Sequence, residues 1–448
     1  MSDDLDSITG ALIGAAKAAG AEAADAIAVS GRSLSIGVRA GALEQAERAE
    51  GTDIGLRVLI GGRQACVSAS DTGADTIRAL AARAVAMARE APEDPHAGLA
   101  DPSELGCGCA PEALELADPA PEPAPGALQQ QALEAEAAAL GVEGVTQVQS
   151  AAAGWSRRDI HIAASNGFDR GYSRTDSGLY CTAIAGSGSG MQRDSDGDGR
   201  VFRADLRDAS EIGQSAGQRA AAMLGARRPR TGAFPVLFDE RVAGTLIGHL
   251  LAAANGAAVA RGASWLRGRM GEAVLPPGLS LIEDPHRPRV AGSRPFDAEG
   301  LPTARRAIVE HGVLRGWLLD LASARKLGLA STANAKRGTA APPSPGAWNV
   351  ELTQGTQGRD DLIREMGTGL VVTSMIGATI NPNTGDYSRG ASGFWVEGGE
   401  IAYPVQECTI AGHLPDMLRR MTPADDARPW LGRVVPSLLV EGLTLAGD

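Results

Sequence analysis

The 448-residue chain is long enough for two or three domains, each with its own hydrophobic core. Its formal charge of −12 is spread along the sequence without a basic stripe, which argues against direct nucleic-acid binding, because phosphate contacts need clustered Lys and Arg. No apolar run reaches the roughly 18–20 residues that span a bilayer, the first residues are acidic where a secretory signal is basic, and five scattered cysteines do not form a disulfide framework. We therefore expect a cytoplasmic protein without membrane contact.

Residues 1–95 are predicted to form a compact α+β unit. Two helices, over residues 4–20 and 71–91, have apolar residues at helical spacing. Gly61-Gly62 predicts a hairpin between two strands that lie between these helices. Four short strand-like runs precede that hairpin, at residues 25–30, 34–39, 45–50 and 55–60.

A Pro- and Ala-rich acidic stretch, residues 96–126, predicts a surface connector, because proline lacks a backbone donor and favours extended chain. Its Cys107-Gly-Cys109 pair would need further ligands to hold a soft metal ion, so a plain loop is favoured. A second α+β unit is predicted at residues 127–226. Its helices are expected at 127–143 and 204–225, and its strands at 146–152, 158–164, 169–175 and 178–187.

Residues 231–448 are predicted to form a β-rich C-terminal domain with a leading helix at residues 240–260. Gly244 and Gly248 share one face of this helix, where the missing side chains let a neighbouring segment come close. His249 lies at the edge of the apolar stripe. Short strand-like runs separated by Gly and Pro follow, which is typical of barrels and sandwiches. The predicted fold class is α+β: two units of helices packed on antiparallel sheets, then a barrel- or sandwich-like domain.

Asp194, Asp196 and Asp198, followed by Gly199, match the first half of a calcium-binding loop. The flanking sequence does not predict the two helices that hold such a loop. A solvated hairpin tip is therefore favoured over a calcium site.

A thiol nucleophile is another possibility, because His413 follows Cys408 by five residues. The neighbours Glu407 and Thr409 continue an alternating strand pattern. An inert strand cysteine is therefore the favoured interpretation.

Hydrogen-bonding side chains are concentrated between two apolar runs, in residues 381–389. Asn-Pro and Thr-Gly-Asp sequences favour tight turns, so a rigid structural loop is one interpretation. A surface that receives a peptide or a partner protein is the other. The candidate peptide- or partner-facing residues are His249, Asn381, Thr384, Asp386, Tyr387, Ser388 and Arg389.

Together, the leading helix and this polar stretch make the chain resemble the TldD/PmbA family, also known as modulator of DNA gyrase, in its PmbA/TldE branch. The matching segments are VLFDERVAGTLIGHLLAAANGAAVARGASWL from Val236 and NPNTGDYSRGASGFWVEGGEIAYPVQECTIAGHL from Asn381. The resemblance implies a cytoplasmic TldD–TldE heterodimer that acts as a zinc peptidase on small unfolded peptides. It also implies that TldD-type chains carry His-Glu-x-x-x-His on this helix and a third ligand, a cysteine, near the C-terminus.

In this sequence only the second histidine of that motif is present, as His249, whereas Gly244 and Thr245 stand at the positions of the first histidine and the glutamate. No cysteine follows Cys408. A catalytic zinc needs about three protein ligands, a water and a carboxylate that accepts its proton, and a threonine hydroxyl does not titrate near neutral pH. We therefore expect no catalytic residue and no metal ligand set in this chain.

The leading hypothesis is a non-catalytic TldE/PmbA-type subunit that completes the active site of a TldD-type partner, with zinc in that partner. One alternative is a peptide-binding or scaffolding homodimer without a proteolytic role. The other is an independent hydrolase that uses Cys408 and His413.

Overall fold

The computed structural model describes residues 2–447, and the first half of the chain forms one antiparallel sheet with helices packed on it. The strand order in this sheet is β3-β2-β1-β4-β5-β6. Its elements are α1 (Ser2–Ala18), β1 (Ala23–Arg39), β2 (Ala42–Ile60), β3 (Arg63–Ala69), α2 (Ala74–Glu90), α3 (Pro125–Leu140), β4 (Val145–Ala164), β5 (Asp169–Ala185), β6 (Gln192–Arg200) and α4 (Ala209–Ala222).

The strands of this sheet are much longer than the sequence pattern predicts. β1 and β2 each span two of the predicted short runs, and they pair from Ala23↔Leu59 to Arg39↔Ala42. The linking residues stay extended because their backbone groups pair across the hairpin, whatever their side chains are. The Gly61-Gly62 turn is confirmed, since both glycines have positive φ, at 54° and 72°.

The two α+β units predicted for residues 1–95 and 127–226 share this sheet, because β1 pairs with β4 from Asp25↔Ala164 to Val38↔Ala151. Helix α1 packs on the first part of β1 and helix α2 on β2 and β3, and together they form one apolar core that includes Ala26. Helix α3 packs on the second part of β1 and on β4, and helix α4 packs on β5 and β6, around a second core that includes Ile36. The units therefore keep separate cores along a common sheet.

The predicted connector, residues 96–126, lies against the rest of the protein. Leu116 is 3 % exposed, and its carbonyl accepts a 2.9 Å hydrogen bond from Thr175 N in β5. Gly108 N donates to Pro295 O at 2.7 Å, which ties the same stretch to the C-terminal half. The prediction of a surface connector therefore misses that this stretch contributes buried side chains.

The C-terminal half contains a closed five-stranded barrel, which confirms the predicted barrel-like domain. β7, β14, β15, β16 and β19 follow one another around it, and pairing of β16 with β19 closes it. Among the described residues, no helix combines the length and apolar character needed to cross a bilayer. The helices of this half are α5 (Glu240–Ala253), α6 (Gly256–Ala260), α7 (Leu321–Leu327), α8 (Arg359–Met366) and α9 (Leu414–Arg419). The strands are β7 (Gly232–Phe238), β8 (Leu281–Glu283), β9 (Arg306–Glu310), β10 (Val313–Leu314), β11 (Ala335–Lys336), β12 (Ser344–Pro345), β13 (Val350–Leu352), β14 (Gly369–Ile380), β15 (Asp386–Glu397), β16 (Glu400–His413), β17 (Met421–Pro423), β18 (Arg433–Val434) and β19 (Leu438–Ala446).

The predicted leading helix, residues 240–260, is broken into α5 and α6. Asn255 causes the break, because its side-chain oxygen accepts hydrogen bonds from Ala257 N at 3.0 Å and Ala258 N at 3.2 Å and so begins a new helix. The chain turns there to reach Leu318, whose carbonyl accepts from Gly256 N. The apolar periodicity does not indicate this cap, since the pattern of apolar residues continues through Asn255.

Candidate functional site

In the described part of the chain, the side chain that lies against the glycine face of α5 is that of Arg433, from the short strand β18. The guanidinium Nη1 donates a 2.9 Å hydrogen bond to Gly244 O. A Cβ at Gly244 would lie 3.3 Å from Arg433 Cδ, and a Cβ at Gly248 would lie 2.9 Å from Nη1. The two glycines thus admit a cation to the helix surface, and one of them, Gly248, directly precedes His249.

His249 lies half-buried between this cation and the barrel. Its ring meets the ring of Tyr387 edge-on, with 6.0 Å between the ring centroids. Its Nε2 is buried and has no hydrogen-bond partner among the described residues. Burial lowers the pKa of His249 below its ordinary value, and the nearby Arg389 and Arg433 guanidinium groups lower that pKa further. Burial and the two cations therefore all favour the neutral form of the imidazole.

The donor set around His249 does not fit a zinc ion. Zinc would need further His, Cys, Asp or Glu ligands beside the imidazole, but the groups next to it are guanidinium ions. Thr245 does not supply a base either, because its hydroxyl donates to Val242 O at 2.7 Å within the helix. A divalent cation placed here would be repelled by Arg389 and Arg433.

The polar stretch at residues 381–386 forms a tight hairpin tip between β14 and β15. Asn381 Oδ1 accepts from Asn383 N at 3.0 Å, and Thr384 Oγ1 donates to Asp386 Oδ2 at 2.6 Å. The imidazole of His413 bonds to the carbonyl of Thr384 at 2.9 Å. Asn381, Thr384 and Asp386 are exposed, so this rigid tip is also open to a partner.

The other candidates lie along β15, and the structure separates them from the tip. Tyr387 is 2 % exposed, its hydroxyl lies 3.3 Å from Met375 Sδ, and burial raises the pKa of Tyr387 to about 12. This tyrosine therefore packs inside the barrel beside His249 and does not present its ring to a partner. Ser388 pairs with Ala411 of β16, and Arg389 Nε donates to Gly377 O at 2.6 Å. Asn381, Thr384 and Asp386 thus form the exposed tip, whereas Tyr387 and Arg389 lie near His249. Ser388 lies between these two residues on β15.

Cys408 and His413 are not arranged as a nucleophile and its base. The Cys408 thiol is buried, donates to Ala391 O at 3.2 Å, and has its pKa raised by burial to about 11. The two ring nitrogens of His413 bond instead to Thr384 O and to Asp416, each at 2.9 Å. The interpretation of Cys408 as an inert strand cysteine agrees with this geometry.

The acidic Asp194–Asp198 segment is an extended part of β6, so the predicted hairpin tip is wrong. The error arises because Gly and Asp favour turns, whereas pairing with β5 keeps these residues extended. Each carboxylate faces arginine: Asp194 pairs with Arg241, Asp196 with Arg207 and Arg219, and Asp198 with Arg200. With guanidinium groups as counterions, this segment does not offer calcium a set of free carboxylates.

Sequence reasoning missed Arg433, which lies near His249, and Met375, whose Sδ lies 3.3 Å from the hydroxyl of Tyr387. Both come from strands distant in sequence, so no local pattern indicates them. The glycine pair at 244 and 248 is the one signal in the sequence: it indicates close approach of a neighbour without identifying it.

Comparison with known proteins gives consistent matches along the chain. Residues 24–88, 118–224 and 231–447 match the profiles of PmbA/TldA metallopeptidase domain 1, central domain and C-terminal domain, respectively. These ranges leave most of the connector outside.

Full-length relatives agree with the profiles. Metalloprotease PmbA of Escherichia coli O157:H7 is 36 % identical over 93 % of this chain and 90 % of its own length. A PmbA homologue of Haemophilus influenzae is 35 % identical over 96 % of this chain and 93 % of its own length. A TldD homologue of the same species is 26 % identical over 50 % of this chain and 47 % of its own length.

A solved structure with the same fold is that of a protein named as a modulator of DNA gyrase from Bacteroides thetaiotaomicron. It superposes with a TM-score of 0.91 at 25 % identity, covering 100 % of this chain and 99 % of that one. The similarity therefore includes both the large sheet and the barrel.

Proposed function

This chain belongs to the PmbA/TldD family of metallopeptidase-like proteins, in its PmbA/TldE branch, and we propose that it acts as the non-catalytic subunit of a two-chain zinc peptidase. In this proposal a TldD-type partner holds the zinc ion and the catalytic glutamate. This chain completes the enclosure of that active site and helps to hold small, unfolded peptides as extended strands in the cytoplasm.

The observation that carries the proposal is the position of Arg433. The guanidinium group occupies the glycine face of α5, next to the position that corresponds to the first zinc ligand of a TldD-type chain. A fixed cation there opposes a bound Zn²⁺, and it lowers the pKa of the one remaining imidazole, that of His249. This geometry supports a role without a hydrolytic centre on this helix.

The exposed hairpin tip supports an interaction role. Asn381 and Thr384 use their own hydrogen bonds to fix the tip, so it would meet a partner with little loss of conformational entropy. The neighbouring Ile376 is 72 % exposed, which places an apolar side chain on the same hairpin.

The test is reconstitution with a purified TldD-type chain and a small unfolded peptide as substrate. We expect peptide cleavage by the mixture at a rate that neither chain reaches alone, and co-elution of the two chains in size-exclusion chromatography. Full activity from the TldD-type chain by itself would contradict the proposal. The scaffolding alternative would be favoured if this chain elutes as a stable homodimer that does not bind the TldD-type chain.

Two variants test which of the two chains carries the zinc ion and the catalytic glutamate. Replacing the glutamate of the His-Glu-x-x-x-His motif in the TldD-type chain is expected to abolish cleavage. His249→Gln in this chain is expected to leave cleavage and metal content unchanged, because this imidazole is not a ligand. Loss of metal on His249→Gln would overturn the assignment.

A further inference from the structure

A second histidine, His161, lies in a quite different setting on the large sheet, far from His249 in the sequence. Its ring on β4 comes together with Asp6 of α1 and Asp169 of β5, and the three ligand atoms all lie within 4.8 Å of one another. His161 Nε2 is 3.2 Å from Asp169 Oδ1. Three elements that are separate in sequence thus bring one imidazole and two carboxylates to a single point.

Thr9 holds one ring nitrogen of His161. The hydroxyl of Thr9, which is fully buried, lies 3.1 and 3.0 Å from the α1 carbonyl oxygens of Leu5 and Asp6. When its one hydrogen is donated to these carbonyls, the 2.9 Å contact between Thr9 Oγ1 and His161 Nδ1 is donated by the ring. This orientation leaves the Nε2 lone pair of a neutral ring directed at the carboxylates, as in metal sites whose second ring nitrogen is held by a neighbouring group.

A lone pair that faces carboxylate oxygens is repulsive unless a proton or a metal ion lies between them. The separation of 3.2 Å between Nε2 and Oδ1 matches the distance of about 3.3 Å between two ligands of a tetrahedral Zn²⁺ with bonds of roughly 2.05 Å. The remaining protein ligand, Asp6, is exposed and can adjust its rotamer.

Gly171, opposite His161 on β5, supports the same placement of the ring. A Cβ at this glycine would lie 3.0 Å from His161 Cδ2 and 2.8 Å from Ile160 O. Its φ is not positive, so backbone conformation does not require glycine here. The missing side chain instead leaves room for the imidazole to lie across the strand.

The site opens into a cavity of about 1060 Å³ between the sheet, α1 and the connector. Acidic groups predominate in its lining, which favours a cation. Arg289, one of the two cations there, is paired with Glu115 and Asp205, and Asp159 is paired with Arg157, so these groups are already neutralised. The carboxylates in the lining are Asp6, Glu112, Glu115, Asp159 and Asp169, and the cations are Arg170 and Arg289.

We propose that His161, Asp6 and Asp169 bind one divalent transition-metal ion, with Zn²⁺ as the best fit to one imidazole and two carboxylate ligands. Water completes the coordination from the cavity side. The ion joins α1 to β4 and β5 and replaces the repulsion between lone pairs by three coordinate bonds. This site is independent of the proposed subunit role and of the helix that carries His249.

The test uses the full chain, freed of any affinity tag and stripped with a chelator, and titrated with Zn²⁺ in a calorimeter. We expect one equivalent to bind, and the melting temperature to rise with added Zn²⁺. His161→Gln is expected to remove that equivalent. Thr9→Val, which keeps the shape of the side chain but leaves Nδ1 without its acceptor, is expected to weaken binding by about 10- to 100-fold.

Location is tested with His249→Gln as the matched control, which is expected to bind Zn²⁺ as the unaltered chain does. Circular dichroism and size-exclusion chromatography of His161→Gln check that the fold is retained. Unchanged binding in His161→Gln, or loss of binding in His249→Gln instead, would overturn the proposal. Absence of Zn²⁺ binding by the unaltered chain would also overturn it and would mean that a proton bridges His161 and Asp169.

Discussion

Each half of the molecule places a histidine beside charged groups, and these groups are cations in one half and anions in the other. In the barrel half, His249 faces Arg389 and Arg433, and its pKa is lowered. On the large sheet, His161 faces Asp6 and Asp169. The same side chain is thus incompatible with a metal ion in one place and suited to it in the other. A histidine therefore gains or loses metal-binding capacity through the residues that the fold brings to it.

The strongest test of the barrel half is Trp395→Ala. Trp395 is fully buried, packs edge-on against Phe234 at 4.9 Å between ring centroids, and donates from Nε1 to Glu397 at 3.1 Å. We expect a loss of about 3–5 kcal/mol in the free energy of unfolding, measured by urea denaturation, because a large cavity remains. Ile376→Ala, at an exposed position of β14, should change it by less than about 0.5 kcal/mol. Similar losses in both variants would show that the barrel core is not organised around Trp395.

A second test concerns the barrel thiol. Burial raises the pKa of Cys408 from 9.0 to about 11, so its thiolate fraction at pH 8 is about 100-fold below that of an unperturbed thiol. We expect iodoacetamide to modify the half-buried Cys107 in the native chain, while Cys408 reacts only after unfolding. Peptide mapping by mass spectrometry measures both sites in one sample. Fast native labelling of Cys408 would revive the hydrolase alternative.

The cationic setting of His249 predicts a specific pH dependence. Its native pKa lies below the ordinary value near 6.5 that applies in the unfolded chain. Between these two values the unfolded chain binds more protons, so this group makes stability fall as pH falls below about 6.5 and level off below the native pKa. The contribution is present in full above about 6.5.

The measurement is the free energy of unfolding of the unaltered chain minus that of His249→Gln, taken from about pH 8 to pH 5. The other titrating groups cancel in this difference. Arg433→Met is expected to raise the native pKa of His249, because a repelling charge is removed. The pH range over which the difference in unfolding free energy changes should therefore become narrower. A difference that does not change with pH would mean that neither burial nor the Arg389 and Arg433 charges lower the pKa of His249.

The smallest expected effect compares glycines on two helices. Gly14→Ala in α1 should raise stability by about 0.5–1 kcal/mol, because an alanine is a better helix former and nothing lies within 4 Å of the new Cβ. Gly248→Ala in α5 should gain less, because its Cβ would displace Arg433 Nη1, 2.9 Å away. Urea denaturation of both variants measures the difference. Equal gains would indicate that the guanidinium group is not held on the glycine face.

Several features of the fold follow from local sequence. The Gly61-Gly62 hairpin was predictable because glycine readily adopts positive φ. Asp239 caps α5, because aspartate is a favoured residue at this position and its carboxylate accepts from Arg241 N at 3.2 Å in the first turn. The length of the strands was not predictable from local sequence, because residues of modest strand propensity are kept extended by the neighbours that pair with them.

By itself, the sequence determined the α+β class, the barrel-like C-terminal half, the family and the lack of a complete zinc motif on α5. These depend on periodicity, turn residues and the identity of single residues, which are all local. Tertiary structure decided that Arg433 covers Gly244 and Gly248 and that Asp6 and Asp169 meet at His161. Sequence could not indicate these contacts, because each joins elements that are far apart in the chain and close only after the sheet and the barrel have formed. Electrostatic energies depend on distances between charges, and only the folded chain sets those distances.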